Sequence, residues 1–106
     1  MELGRQHLLG FTRMPRLDDA DLQNLTFASL PREIRLAIAE AQIRSEEAYR
    51  AADQARRQSP GPDAQERYLL ARERMIRLEQ ASEAARRGSR PALLDLLAQV
   101  TKVFAD

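Results

Sequence analysis

Small and apolar side chains recur at alternating spacings of four and three residues in two long segments of the chain, the spacing typical of amphipathic α-helices. Each stripe begins within three residues of a proline, and prolines favour helix starts. The first stripe comprises Ile34, Ile38, Ala41, Ser45, Ala48, Ala52 and Ala55. The second comprises Ala64, Tyr68, Ala71, Met75, Leu78, Ser82 and Ala85. The pattern predicts two helices of about 40 Å each.

A turn at Ser59-Pro60-Gly61-Pro62 separates the two segments and allows one to fold back on the other. In that antiparallel register nearly every large side chain lies opposite a small one, which fills a seam without overpacking it. The expected pairs are Ala52 with Tyr68, Ala48 with Ala71, Ser45 with Met75, Ala41 with Leu78, Ile38 with Ser82 and Ile34 with Ala85. The sequence therefore predicts a long antiparallel helical hairpin.

A seam of alanine and serine buries little apolar area, so the hairpin needs a third layer. The last segment supplies Leu93, Leu94, Leu96, Leu97, Val100, Val103 and Phe104, which cover about half of a helical wheel. Leu69 and Ile76, seven residues apart on one flank of the second arm, are the expected seat of this C-terminal helix.

The N-terminal part of the chain is expected to form two further pieces. Residues 17–28 are expected to form a short helix with Asp18 as its N-cap. Residues 1–16 are expected to form an irregular N-terminal arm. The whole is an all-α fold, a three- to four-helix bundle, with one helical domain over residues 17–106.

Charged residues support the two arms. Glu40–Arg44, Glu46–Arg50 and Asp53–Arg57 are spaced i,i+4 with the acid leading, which is the better orientation on a helix. Gly88 can end the second arm.

Composition excludes several kinds of chemistry. The 106 residues include no cysteine and one histidine, His7, and the formal net charge is +1. Disulfides, thiolate sites and histidine-rich metal sites are therefore excluded. We identify no catalytic set, no glycine-rich phosphate loop, no metal site and no cofactor site, and the sequence predicts a protein that is not an enzyme and has no small-molecule substrate. With no apolar run of about 18 residues and no secretory signal, the expected location is cytoplasmic, in an intracellular, reducing compartment, and not in a membrane.

Apolar positions beyond the seam indicate a protein partner or a homo-oligomer, although burial within the chain explains them equally well. Leu36 and Ile43 lie seven apart on the first arm, nearly opposite its seam. The other candidate contacts are Leu8, Leu9 and Phe11 in the N-terminal arm, and Leu94, Val103 and Phe104 in the last helix. The favoured function is a non-enzymatic protein–protein interaction module, such as a small subunit, adaptor or inhibitor of a larger assembly.

Arginines gather at the end of the hairpin where the first arm begins and the second ends. They are Arg32, Arg35, Arg86, Arg87 and Arg90. One interpretation is that they complement helix dipoles and form ordinary ion pairs. The other is that they bind phosphates or an acidic partner. The alternative function is accordingly a helical subunit that binds nucleic-acid backbone in a ribonucleoprotein or DNA-binding complex.

Overall fold

The computed structural model describes residues 24–105, which form three α-helices joined by short turns. Helix α1 spans Arg32–Gln58, α2 spans Pro62–Arg86 and α3 spans Arg90–Ala105. The described part contains no β-strand. The predicted all-α fold, with two long helices followed by a shorter C-terminal helix, is confirmed.

The helices α1 and α2 are antiparallel, and aromatic contacts show their register. The ring of Tyr68 on α2 lies 5.5 Å from the ring of Tyr49, centroid to centroid. The guanidinium carbon of Arg56 lies 4.2 Å from the centre of the same Tyr68 ring. Tyr49 and Arg56 are three residues before and four residues after Ala52, so the ring lies at the level that the Ala52–Tyr68 pairing requires.

Burial along the seam is uneven. The near half of the hairpin, residues 32–45 and 78–86, contains all of the buried residues of α1 and α2. In the far half, residues 46–77, no residue is buried. The third layer explains the difference, because α3 has 16 residues where α1 has 27 and α2 has 25. At 1.5 Å per residue α3 is about 24 Å long, and it covers only part of the hairpin.

Helix α3 completes the core as expected from its apolar face. Its buried residues are Leu93, Leu96, Leu97, Gln99, Val100, Val103 and Phe104. All of these except Gln99 join Leu25, Leu30 and the buried apolar residues of both arms in one hydrophobic cluster. The serine before the helix acts as its N-cap, since the backbone N–H of Ala92 donates to Ser89 Oγ over 3.3 Å.

The expected helix over residues 17–28 is wrong at its C-terminal end. Asn24 is helical, but residues 25–31 are not. Thr26 and Ser29 bond to each other instead: the backbone N–H of Thr26 donates to Ser29 Oγ over 2.9 Å, and that of Ser29 donates to the Thr26 carbonyl over 3.1 Å. Such side-chain bonds compete with helix formation, and Pro31 disfavours a helical conformation at Leu30. The rest of this expected helix and the expected arm over residues 1–16 lie outside the described residues.

The turn between α2 and α3 depends on Gly88. Its φ of 102° lies in the left-handed region that favours glycine. The N–H of Gly88 donates to the Ala85 carbonyl and the N–H of Ser89 donates to the Ala84 carbonyl, both over 3.1 Å. These two bonds form a Schellman motif, so the expected helix end at Gly88 is confirmed.

We expect Gly88→Ala to lower the free energy of unfolding by about 1 kcal/mol, because alanine rarely adopts a positive φ. A Cβ at Gly88 would meet no atom within 4 Å, so the cost is conformational and not steric. Gly61→Ala is the matched control, since its φ of 173° is extended backbone and its Cβ would also meet nothing. Urea unfolding measures both, and equal losses for the two variants would contradict the prediction.

Candidate interaction surfaces

The outward face of α1 carries the two predicted contact residues. Leu36 and Ile43 are 49% and 54% exposed. Both lie on the side of the helix away from its buried residues, and none of the described residues covers them. Glu40 and Glu47 lie on the adjacent turns of the same face, and Glu40 accepts a hydrogen bond from Arg44 Nε over 3.1 Å. The stripe is therefore apolar at two positions and charged around them.

The C-terminal helix provides less free surface than the sequence predicts. Leu94 is exposed, but Val103 and Phe104 are each only 8% exposed and belong to the core. Phe104 also has the guanidinium of Arg44 at 4.6 Å from its ring centre. Both side chains are therefore already buried inside the chain, and the prediction that they contact a partner is corrected. The other predicted contacts, Leu8, Leu9 and Phe11, lie outside the described residues.

The expected seat of α3 on Leu69 and Ile76 is wrong. Helix α3 packs on the neighbouring flank of α2, where Ala81 is buried and Arg77 Nη2 donates to Asp95 Oδ1 over 3.0 Å. Ile76 is half-buried and Leu69 is exposed. An alanine at position 81 admits the large side chains of α3 more closely than leucine and isoleucine would.

An open groove occupies the surface left free by this arrangement. We call it the α2 groove; it has a volume of about 690 Å³, in the range of ligand and side-chain pockets. Leu69, Ile76 and Ala81 provide its apolar surface, and the Arg77–Asp95 pair connects it to α3. Its lining is completed by Arg72, Glu73 and Gln80.

Leu70, the neighbour of Leu69 on α2, is missing from the contact residues that the sequence predicts. It is 60% exposed, the highest fraction among the large hydrophobic side chains of the described part. Arg77 and Ala81, about two and three turns further along α2, lie beside α3, whereas Leu70 is nearer to the turn at Pro60 and is left exposed. The segment lengths could have indicated an uncovered part of α2, because a C-terminal segment of seventeen residues is too short to cover an arm of about thirty.

Electrostatic interactions hold Asp95 in its ionised form. The hydrogen bond from Arg77 lowers the pKa of Asp95, burial raises it, and a second hydrogen bond, from Gln99 Nε2 at 3.2 Å, lowers it further. The pKa of Asp53 is also lowered, chiefly by its hydrogen bond from Arg56.

The three expected i,i+4 pairs are present: Glu40–Arg44 at 3.1 Å, Glu46–Arg50 at 4.0 Å and Asp53–Arg57 at 3.1 Å.

The lowered pKa of Asp95 predicts a stability difference that depends on pH. A carboxyl with a depressed folded-state pKa stabilises the fold above its unfolded pKa of about 3.9 and loses that contribution as pH falls through the folded value. We expect Asp95→Asn to be less stable than the unsubstituted chain at pH 6, and the difference to shrink as pH falls below about 4. Since the side chain is 37% exposed, the difference at pH 6 should stay below about 1 kcal/mol.

Urea unfolding at several pH values measures this effect, and Arg77→Gln provides a second test. That variant removes the main cause of the shift, so Asp95→Asn should change stability less at pH 6 when it is made in the Arg77→Gln chain than in the unsubstituted chain. A difference that stays constant from pH 6 to pH 3 would contradict the assignment.

The structure separates the five arginines at the near end of the hairpin by their contacts. Arg87 pairs with Glu83 over 2.6 Å, and Arg90 Nη1 donates to the Leu25 carbonyl over 3.1 Å. The guanidinium carbon of Arg86 lies 5.5 Å from the centre of the Phe27 ring. Arg32 and Arg35 are exposed on the first turn of α1. The near end is therefore partly paired and partly open.

Two further findings bound the chemistry of residues 24–105. That part of the chain holds no group of three or more His, Cys, Asp or Glu side chains placed to bind a metal ion. None of its helices combines the length and apolar character that crossing a membrane requires.

Comparison of the chain with models of protein families, with curated protein sequences and with solved structures finds no match.

Proposed function

We propose that this protein is a non-enzymatic interaction module that binds a helical segment of a partner protein. The observation that carries the proposal is the α2 groove, where apolar side chains stay open beside a completed core. Leu69 and Ile76 are seven residues apart, about 10 Å along the helix. That spacing suits the side chains that an amphipathic partner helix presents on one face.

The charged groups of the groove support binding more than catalysis. Asp95 pairs with Arg77, and its lowered pKa keeps it ionised near neutral pH. A general acid or base works best with a pKa near the working pH, and a carboxylate held in an ion pair is poorly suited to that task. The same pair can orient a partner by exchanging hydrogen bonds at the groove edge.

The exposed stripe of Leu36 and Ile43 is a second candidate contact. Two side chains on one helix bury much less than the roughly 800 Å² per partner of a standard interface. This stripe is therefore better suited to an additional contact within an assembly than to forming a stable dimer by itself.

A photo-cross-linking amino acid at Leu69 tests the proposal in cells of the source organism. We expect one discrete adduct from position 69 and none from the matched control at Glu79, an exposed position on the same helix. Adding Ile76→Glu to the position-69 protein should abolish the adduct, because it replaces an apolar contact surface with a hydrated charge that an apolar partner side chain would have to desolvate. No adduct at 69, or equal adducts at 69 and 79, would reject the groove as the binding site. An adduct of twice the protomer mass would identify a second copy as the partner.

A further inference from the structure

Ion pairs are unevenly distributed among the arginines of residues 24–105. Six arginines pair with carboxylates, and the pairs are Arg44–Glu40, Arg50–Glu46, Arg56–Asp53, Arg57–Asp53, Arg77–Asp95 and Arg87–Glu83. Arg67 and Arg72, which lie in the far half, form no ion pair with a described carboxylate. Arg32, Arg35 and Arg86 form no ion pair with a described carboxylate, and all three are exposed. The near end of the hairpin therefore carries positive charge that this part of the chain does not neutralise.

The turn over residues 25–31 brings these arginines to one place. It leads directly into Arg32, and one helical turn later the chain reaches Arg35. The same turn contacts the other two elements, because Phe27 lies under the guanidinium of Arg86 and the Leu25 carbonyl accepts a hydrogen bond from Arg90. Residues from α1, the end of α2 and the start of α3 are thus grouped around a single turn.

Some of these contacts hold a guanidinium in place without neutralising it. The ring of Phe27, 5.5 Å from the guanidinium carbon of Arg86, restricts this exposed side chain without neutralising its charge. A planar, oriented fork loses less entropy when it binds a carboxylate in a bidentate manner. The arrangement is suited to binding an anion.

We propose that Arg32, Arg35 and Arg86 form a binding site for an acidic segment of a partner protein. The site rests on the proposed function, since its ligand belongs to a protein partner, but it lies at the hairpin end and not in the α2 groove. Glutamate or aspartate side chains of the partner would accept hydrogen bonds from the three guanidinium groups.

Two observations favour an acidic protein segment over nucleic acid. The formal net charge of the whole chain is only +1, so it lacks the strong positive field that attracts a phosphate backbone from a distance. No aromatic side chain in the described part is exposed for base stacking, and Phe27 is half-buried beneath Arg86.

Fluorescence anisotropy with a labelled short poly-glutamate peptide and the full chain tests this site. We expect the triple variant Arg32→Gln, Arg35→Gln, Arg86→Gln to weaken peptide binding about tenfold. The matched control, Arg50→Gln, Arg67→Gln, Arg74→Gln, makes the same charge change in the far half and should weaken binding less than about twofold. The single variants Arg32→Gln and Arg35→Gln, at exposed positions, should each give a smaller loss in a folded chain.

Three outcomes would overturn the proposal. Equal losses in the two triple variants would show that only overall charge matters. Tighter binding of a single-stranded oligonucleotide than of the peptide would assign the site to nucleic acid. Peptide binding that emerges only after Asp18→Asn, Asp19→Asn and Asp21→Asn would assign the arginines to acids of the same chain. Ile76→Glu should leave peptide binding unchanged, so failure of this site and failure of the α2 groove are distinguishable.

Discussion

Leu78→Ala is expected to lower the free energy of unfolding by about 3 kcal/mol, the largest single effect that the fold predicts. Leu78 has no solvent-accessible surface and lies where both arms and α3 share one core. Truncation removes buried methyl groups and leaves a cavity that rigid helices fill only in part. For a domain of this size, that loss is a large fraction of total stability.

Leu70→Ala is the matched control for this prediction. It makes the same chemical change on the same helix, eight residues away, at a side chain that is 60% exposed. We expect a change within about 0.5 kcal/mol. Urea unfolding followed by circular dichroism measures both variants, and a similar loss in each would show that the near and far halves do not differ as described.

The second large effect is expected from overpacking the seam. Ala41 is fully buried on the α1 stripe, and the predicted register places it opposite Leu78, which is also fully buried. Ala41→Leu adds three carbons where the opposing helix leaves no room, and we expect a loss of about 2 kcal/mol. Either the arms separate or the side chains leave their preferred rotamers.

Ala48→Leu provides the comparison for this substitution. Ala48 lies seven residues further along the same stripe, in the far half, and it is exposed. A leucine there has space and retains good helix propensity, so stability should change by less than about 0.5 kcal/mol. If Ala41→Leu lowers the free energy of unfolding no more than Ala48→Leu does, the two arms do not approach each other closely at the near end.

The parts of the fold that follow from local spacing could be predicted from the sequence. The stripes define the contact face of each arm, and the short turn between them permits only an antiparallel return. The position of Tyr68 opposite Ala52 follows from these two features. Gly88 is predictable for a similar reason, since a glycine after the last periodic residue ends a helix.

The packing flank of α3 could not be predicted in the same way. Both flanks of α2 offer a surface, and the larger side chains of Leu69 and Ile76 favour the wrong one. The correct flank is identified by small residues beside the stripes, Ala37 on α1 and Ala81 on α2, which are buried although neither belongs to a stripe. A search for large apolar residues overlooks positions whose contribution is to allow close approach. The α2 groove is open because α3 packs on the other flank, so a sequence-based prediction that places α3 on Leu69 and Ile76 also fails to predict the groove.

The uneven burial along the hairpin also determines how the molecule opens. Among the described residues, and apart from the Arg77–Asp95 pair, the far half consists of two helices that pack on each other. Its backbone amides can therefore exchange with solvent through local fraying that leaves the three-helix core intact. Protection against hydrogen exchange should therefore decline from the Leu78 level toward the turn at Pro60. The exposed turn at residues 59–61 is correspondingly the place where an inserted tag or a protease cut would disturb the core least.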